Sequence, residues 1–146
     1  MRNHPQRYRL SQLLICCMLG VLAACGGAPA AALPSTVDVR LKSFGIEASA
    51  VTLKAGKVTF NATNQATDIP HEMLVVKTDQ AADALPYDPG EGRLPEDKID
   101  SKGEVPELEV GKNGSVTLDL EPGKYLLLCN IATHFKKGMV LPIQVQ

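Results

Sequence analysis

Side chains able to hold a metal or carry redox chemistry are scarce in this chain. Its 146 residues include three histidines, four methionines and four cysteines, and most of these fall before residue 26. No apolar run is long enough for a comfortable membrane span: the longest, Leu13–Ala24, is short and follows Arg2, Arg7 and Arg9. A positive start followed by a short apolar stretch predicts an export signal over residues 1–24. Its removal takes away His4, Met1, Met18, Cys16 and Cys17. Basic charge also becomes scarce, with 12 basic against 16 acidic residues in Cys25–Gln146, a net charge of −4. That balance argues against nucleic acid as a partner. The remaining 122 residues are enough for one domain with a real core and too few for two.

The signal ends in Leu22-Ala23-Ala24-Cys25, which resembles the lipobox of bacterial lipoproteins, where the cysteine is acylated and becomes the mature N-terminus. An ordinary secretory signal cleaved near Ala30-Ala31-Ala32 is the competing reading. Several acyl chains on one terminus suffice for stable anchoring. Gly26 and Gly27 follow the cysteine where an inner-membrane retention signal would carry aspartate, so the outer membrane is favoured. The protein is expected on the periplasmic or cell-surface side of a bacterial membrane, with residues 25–35, rich in Gly, Ala and Pro, as lipidated terminus and flexible tether. With Cys25 occupied by lipid, Cys129 is the only cysteine left and no disulfide is possible. A lone thiol in an oxidising compartment is a liability unless it is buried or occupied by metal.

Residues 36–146 read as short strands separated by turns. Val37–Phe44 and Ser115–Leu120 alternate apolar and polar residues at period two, the mark of half-buried strands. Val51–Leu53, Lys57–Ala62, Met73–Lys77, Lys124–Cys129 and Met139–Val145 are further β-rich runs, with turns at Ala55-Gly56, Asn64-Gln65, Asn113-Gly114 and Pro122-Gly123. Few helix signals occur. The expectation is an all-β, antiparallel Greek-key β-sandwich of about seven to eight strands. Between Asp79 and Glu109 lie ten acidic and three basic residues together with Pro86, Pro89, Pro95 and Pro106, which predicts one long solvated loop excursion holding at most a short helix or strand. Pro142 lacks a ladder donor and predicts an edge or a bulge in the last strand.

The remaining metal-competent residues fall into one pattern. Cys129, His134 and Met139 form a C-x4-H-x4-M run, and His71 stands at the head of an earlier apolar strand. One thiolate, two imidazoles and a distant thioether are the ligands of a trigonal His2Cys copper site with a weak axial Met, a type of centre that moves single electrons. Each residue alone has an ordinary reading, since Cys129 after three leucines could be an inert core cysteine. Taken together they point to one copper ion. Structural zinc would need a fourth Cys or His. A dinuclear copper loop would need a second cysteine where Thr133 stands, and multicopper or nitrite-reducing enzymes would need further histidines. Nothing marks an orienting partner for Cys-His nucleophilic catalysis. The protein is therefore read as a non-enzyme without a small-molecule substrate.

On these residues the domain resembles the cupredoxin (type 1 blue copper) family, with ligand spacing nearest its rusticyanin branch. The resemblance rests on Tyr125-Leu-Leu-Leu-Cys129 running into the ligand loop and leaving as Gly138-Met139-Val140. It rests also on Pro70-His71-Glu72-Met73-Leu74-Val75-Val76 and on Asn61-Ala-Thr-Asn64 ahead of it. It implies His71, Cys129, His134 and Met139 as ligands; Met73 shares a face with His71, but its position in the family is an apolar core residue. Relatives often carry Asn or Ser where Glu72 stands, tying this strand to the ligand loop, so that side-chain bond is in question and a carboxylate near the metal becomes an option. The resemblance leaves the backbone N–H groups of Glu72 and Ile131 as expected donors to the Cys129 sulfur.

The resemblance further implies that His134 is the electron port. Beside it Phe135, Ile131 and Ala132 suggest an apolar contact patch, and Lys136 and Lys137 suggest steering of a transient redox partner with a carboxylate-rimmed surface. The expected function is a monomeric, lipid-anchored carrier of single electrons outside the cytoplasm. Copper delivery to another protein is the alternative, weakened by the absence of Met-rich or His-rich tracts.

Overall fold

A computed structural model describes Met1 and residues 32–146. Apart from Met1, the predicted export signal lies outside the described residues, as do Cys25 and residues 26–31 of the tether. Nine strands follow in order: β1 Thr36–Lys42, β2 Gly45–Ala48, β3 Thr52–Leu53, β4 Gly56–Asn64, β5 His71–Lys77, β6 Asp100–Leu108, β7 Asn113–Leu120, β8 Gly123–Leu128 and β9 Val140–Val145. Among the described residues the only helical segments are three single 3-10 turns, at Ala82–Ala84, Glu96–Lys98 and Phe135–Lys137.

The strands form two sheets, ordered β2-β1-β4-β7 and β3-β9-β8-β5-β6. Alternation decides which side chains face inward. In β1, Val37, Val39 and Leu41 are buried while Asp38, Arg40 and Lys42 are exposed, as period-two geometry requires. Val58, Phe60 and Ala62 of β4 and Met73, Val75, Tyr125, Leu127 and Ile143 of the facing sheet complete the core between the layers. The all-β sandwich is as expected, but its sheets are mixed. β1 runs parallel to β4, with Val39 opposite Ala62, and β3 parallel to β9, with Leu53 opposite Val145. Two-residue hairpins cannot join parallel neighbours, and longer connections join these. Pro142 lies on β9 beyond the reach of β3, which pairs only with Gln144 and Val145, so its missing N–H breaks no ladder bond on that side.

The acidic stretch 79–109 departs from the expectation. Its last third forms β6, a nine-residue strand paired with β5. Its earlier part lies against the outer face of the five-stranded sheet. There Leu85 and Leu94 pack with Leu74, Val76, Leu126, Leu128 and Phe135 in a second hydrophobic cluster. This cover explains why β5 and β8 are apolar on both faces: from Met73 to Val76 and from Tyr125 to Leu128 every residue is buried. A strand with an exposed outer face would alternate.

Candidate metal centre

The three candidate ligands come from two places in the five-stranded sheet. β8 ends at Leu128 and passes directly into Cys129, and the chain returns through Met139 into β9. The Cys129 N–H donates to the Met139 carbonyl at 3.1 Å and closes the loop at its base. Inside the loop the His134 N–H donates to Ile131 O (2.9 Å), the Gly138 N–H to Phe135 O (2.9 Å) and the Met139 N–H to His134 O (3.2 Å). The eleven residues from Cys129 to Met139 are thus folded into one compact loop, with Thr133 at φ 73° and Gly138 at φ 95°.

His71 arrives from the adjacent strand as the first residue of β5. The loop leading to it is pinned by Asn64, which is fully buried. Its Nδ2 donates to Ile69 O (3.0 Å) and Leu108 O (2.9 Å), and its Oδ1 accepts from the Ala66 N–H (2.9 Å). A buried amide with both ends satisfied holds its surroundings in one arrangement.

These elements bring three donor atoms together. His71 Nδ1 lies 3.2 Å from His134 Nδ1 and 3.9 Å from Cys129 Sγ, and His134 Nδ1 lies 3.4 Å from Cys129 Sγ. A triangle with sides of 3.2, 3.4 and 3.9 Å has its equidistant point about 2.0 Å from each corner. Metal–imidazole bonds of about 2.0–2.1 Å and metal–thiolate bonds of about 2.3 Å are of that size. The donor set therefore fits a single ion. His71 and Cys129 are fully buried and His134 is 8 % exposed. His71 Nε2 is buried without a hydrogen-bond partner among the described residues, so the ring's polar contacts are all on its Nδ1 side. Met139 is buried in the same hydrophobic cluster as Cys129, as is Met73.

Burial sets the protonation of the metal-free site. It pushes the Cys129 thiol up to about 11, against the weaker opposing pull of the Glu72 and Ile131 backbone N–H groups. It pushes His71 down to about 4, helped by the neighbouring His134, and it lowers His134, with Lys137 adding to the effect. At neutral pH both imidazoles are in their ligating form, and the sulfur gives up its proton only to a metal.

Glu72 does make a tie to the ligand loop: its Oε1 accepts the Asn130 N–H at 3.1 Å. It stands outside the cluster of donor atoms. Phe135 is a correction to the expected contact patch. It is only 8 % exposed, faces the second cluster and stacks on Tyr87 with ring centroids 6.4 Å apart. Lys136 and Lys137 are exposed beside it. The aromatic ring that meets His134 is Phe44, edge-on at 5.2 Å, with the Lys137 Nζ 4.1 Å from its centroid. Phe44 holds φ 59° in the β1–β2 turn, and a bulky residue in that region is a local strain held by its surroundings. No sequence signal marked it, because it is about 90 residues from the histidine it touches.

No family model matches the chain, and no curated protein does. Solved structures do. Reduced auracyanin from the photosynthetic bacterium Roseiflexus castenholzii superposes with a TM-score of 0.64 at 21% identity, over 78% of this chain and 98% of that one. Auracyanin A, a "blue" copper protein from the green thermophilic photosynthetic bacterium Chloroflexus aurantiacus, gives 0.53 at 27% identity, over 76% and 99%. Rusticyanin from Thiobacillus ferrooxidans gives 0.56 at 20% identity, over 77% and 79%. The fold is therefore a cupredoxin-like β-sandwich, and His71, Cys129 and His134 form its candidate metal site.

Proposed function

We propose that this protein is a type 1 copper protein that carries single electrons between partner proteins outside the cytoplasm, held to a membrane by lipid on Cys25. The observation that carries the reading is the convergence of one buried thiol and two imidazole Nδ1 atoms on a common point. Bound copper would supply a one-electron couple between its two oxidation states. His71, Cys129 and His134 would hold it, with Met139 as the distant fourth ligand.

The chain's own part is to fix the ligands and keep water out. His71 rides on a strand and Cys129 and His134 on a loop closed at its base, so the site keeps one geometry in both redox states. With the positions filled by protein side chains, no place is open for a substrate, which favours transfer over catalysis. Burial of all three ligands also favours a retained ion over one handed on, and so a carrier over copper delivery. His134, the most exposed of the three, is the exit for the electron. Lys136 and Lys137 flank it and suit a transient partner that presents carboxylates.

Visible and electron-spin spectra of the copper-loaded domain test this. An intense thiolate-to-copper band that disappears in Cys129→Ser is expected. A band that survives that substitution, or no band at all, contradicts the assignment.

A further inference from the structure

Asn130 follows the thiol ligand directly and is fully buried. A buried side-chain amide costs free energy unless its donors and acceptor are matched, and here they are matched by a segment remote in sequence. Its Oδ1 accepts the Leu94 N–H at 2.8 Å, and its Nδ2 donates to Leu94 O at 3.0 Å and to Glu96 Oε1 at 3.4 Å. The amide thus pairs with Leu94 much as a neighbouring strand would. A second tie lies three residues further on, where the Thr133 N–H donates to Gly92 O at 2.6 Å. Gly92 is required for that approach. It holds φ 72°, and a Cβ there would lie 3.3 Å from Thr133 N and 3.4 Å from Ala132 Cβ. Leu94, the partner in the first tie, is anchored in the second hydrophobic cluster.

We propose that residues 92–96 brace the ligand loop and that Asn130 is the positioning residue through which the brace acts, holding the Cys129–His134 stretch in its ligating geometry before any metal arrives. Asn130 touches no ligand atom. Its backbone N–H is held by Glu72 of β5 and its side chain by Leu94, so the start of the loop is gripped from the sheet and from the excursion at once. The acidic excursion then has a task besides solubility, since it supplies half of that grip. The consequence for electron transfer rests on the copper reading above; the bracing itself does not.

Amide hydrogen exchange in the metal-free domain tests the brace without copper. In Asn130→Ala the loop amides of His134, Lys137, Gly138 and Met139 should exchange about tenfold faster, the effect of losing one buried hydrogen bond, while β1, β4 and β7 keep their protection. Gly92→Ala, which leaves Asn130 intact, should give the same local pattern. Asn130→Ser, which keeps a short polar group without adding a buried charge, should lie between wild type and Asn130→Ala and guards against a variant that fails to fold. In the copper-loaded protein, Asn130→Ala should slow electron self-exchange while retaining copper. Uniform acceleration across all strands would reduce Asn130 to a general stabilising residue and overturn the proposal. So would unchanged loop exchange in both Asn130→Ala and Gly92→Ala. Absence of a Cys129-dependent copper band in wild type would instead remove the copper reading and leave the exchange result standing.

Discussion

Cys129 sits in the metal-free fold as a thiol, because burial pushes it to about 11, whereas His71 is pushed down to about 4 and stays neutral. The signs give a pH dependence. Between about pH 7.5 and pH 9, above the ordinary imidazole value and below that of the buried thiol, the only candidate ligand carrying a proton that metal must displace is the sulfur. One proton should therefore be released per copper bound, and copper affinity should rise about tenfold per pH unit across that range. Potentiometric titration of the metal-free domain checks this: release of two protons would mean that a histidine is protonated, and release of none would mean that Cys129 is not a ligand. At this scale the sequence was informative about the candidate ligands and uninformative about their supports. Cys129, His134 and Met139 announce themselves by spacing within eleven residues. Phe44, Gly92 and Leu94 act on the same loop from 35 or more positions away, and nothing local distinguishes them from ordinary turn or core residues.

Among the elements, the acidic excursion changes most on inspection of the fold. Composition between Asp79 and Glu109 is dominated by charge and proline, and composition cannot show that Leu85 and Leu94, with Ala82, Tyr87 and Ile99, help to cover one face of a sheet. β6 was hidden for a related reason. Of its nine residues only Val105 is fully buried, so period-two alternation never develops and the strand reads as a loop. The signal that was available lay in its partners: Met73-Leu74-Val75-Val76 and Leu126-Leu127-Leu128 are apolar on both faces, which demands a cover. Leu94→Ala should therefore destabilise the domain by about 2–5 kcal/mol, as for other fully buried leucines. Denaturant unfolding measures this, and a loss under about 0.5 kcal/mol, the range of exposed sites, would restore the picture of a solvated loop.

For the whole molecule, the fold class was legible because half-buried strands such as β1 and β7 carry their alternation openly, whereas the parallel pairings β1–β4 and β3–β9 depend on connections that pattern does not encode. Charge is distributed unevenly: acidic residues crowd the excursion, while Lys136 and Lys137 flank His134. Replacing both lysines with glutamate should slow oxidation of the reduced protein by ferricyanide by tenfold or more at low salt and speed its oxidation by a cationic cobalt complex. Rates with each oxidant unchanged from wild type, and independent of salt, would remove the docking role. The proposed anchoring is tested on the full chain. Cys25→Ser should move the exported protein from the membrane to the soluble fraction, and unchanged membrane association would exclude lipid on that residue.

The central claim is that one buried thiolate and two imidazoles hold a single copper ion. The most direct measurement is the visible and electron-spin spectrum of the copper-loaded domain beside its Cys129→Ser variant. The account predicts one equivalent of copper and an intense thiolate-to-copper band in the first, with that band gone in the second. A copper signal with no thiolate band, or a band indifferent to Cys129, would contradict it.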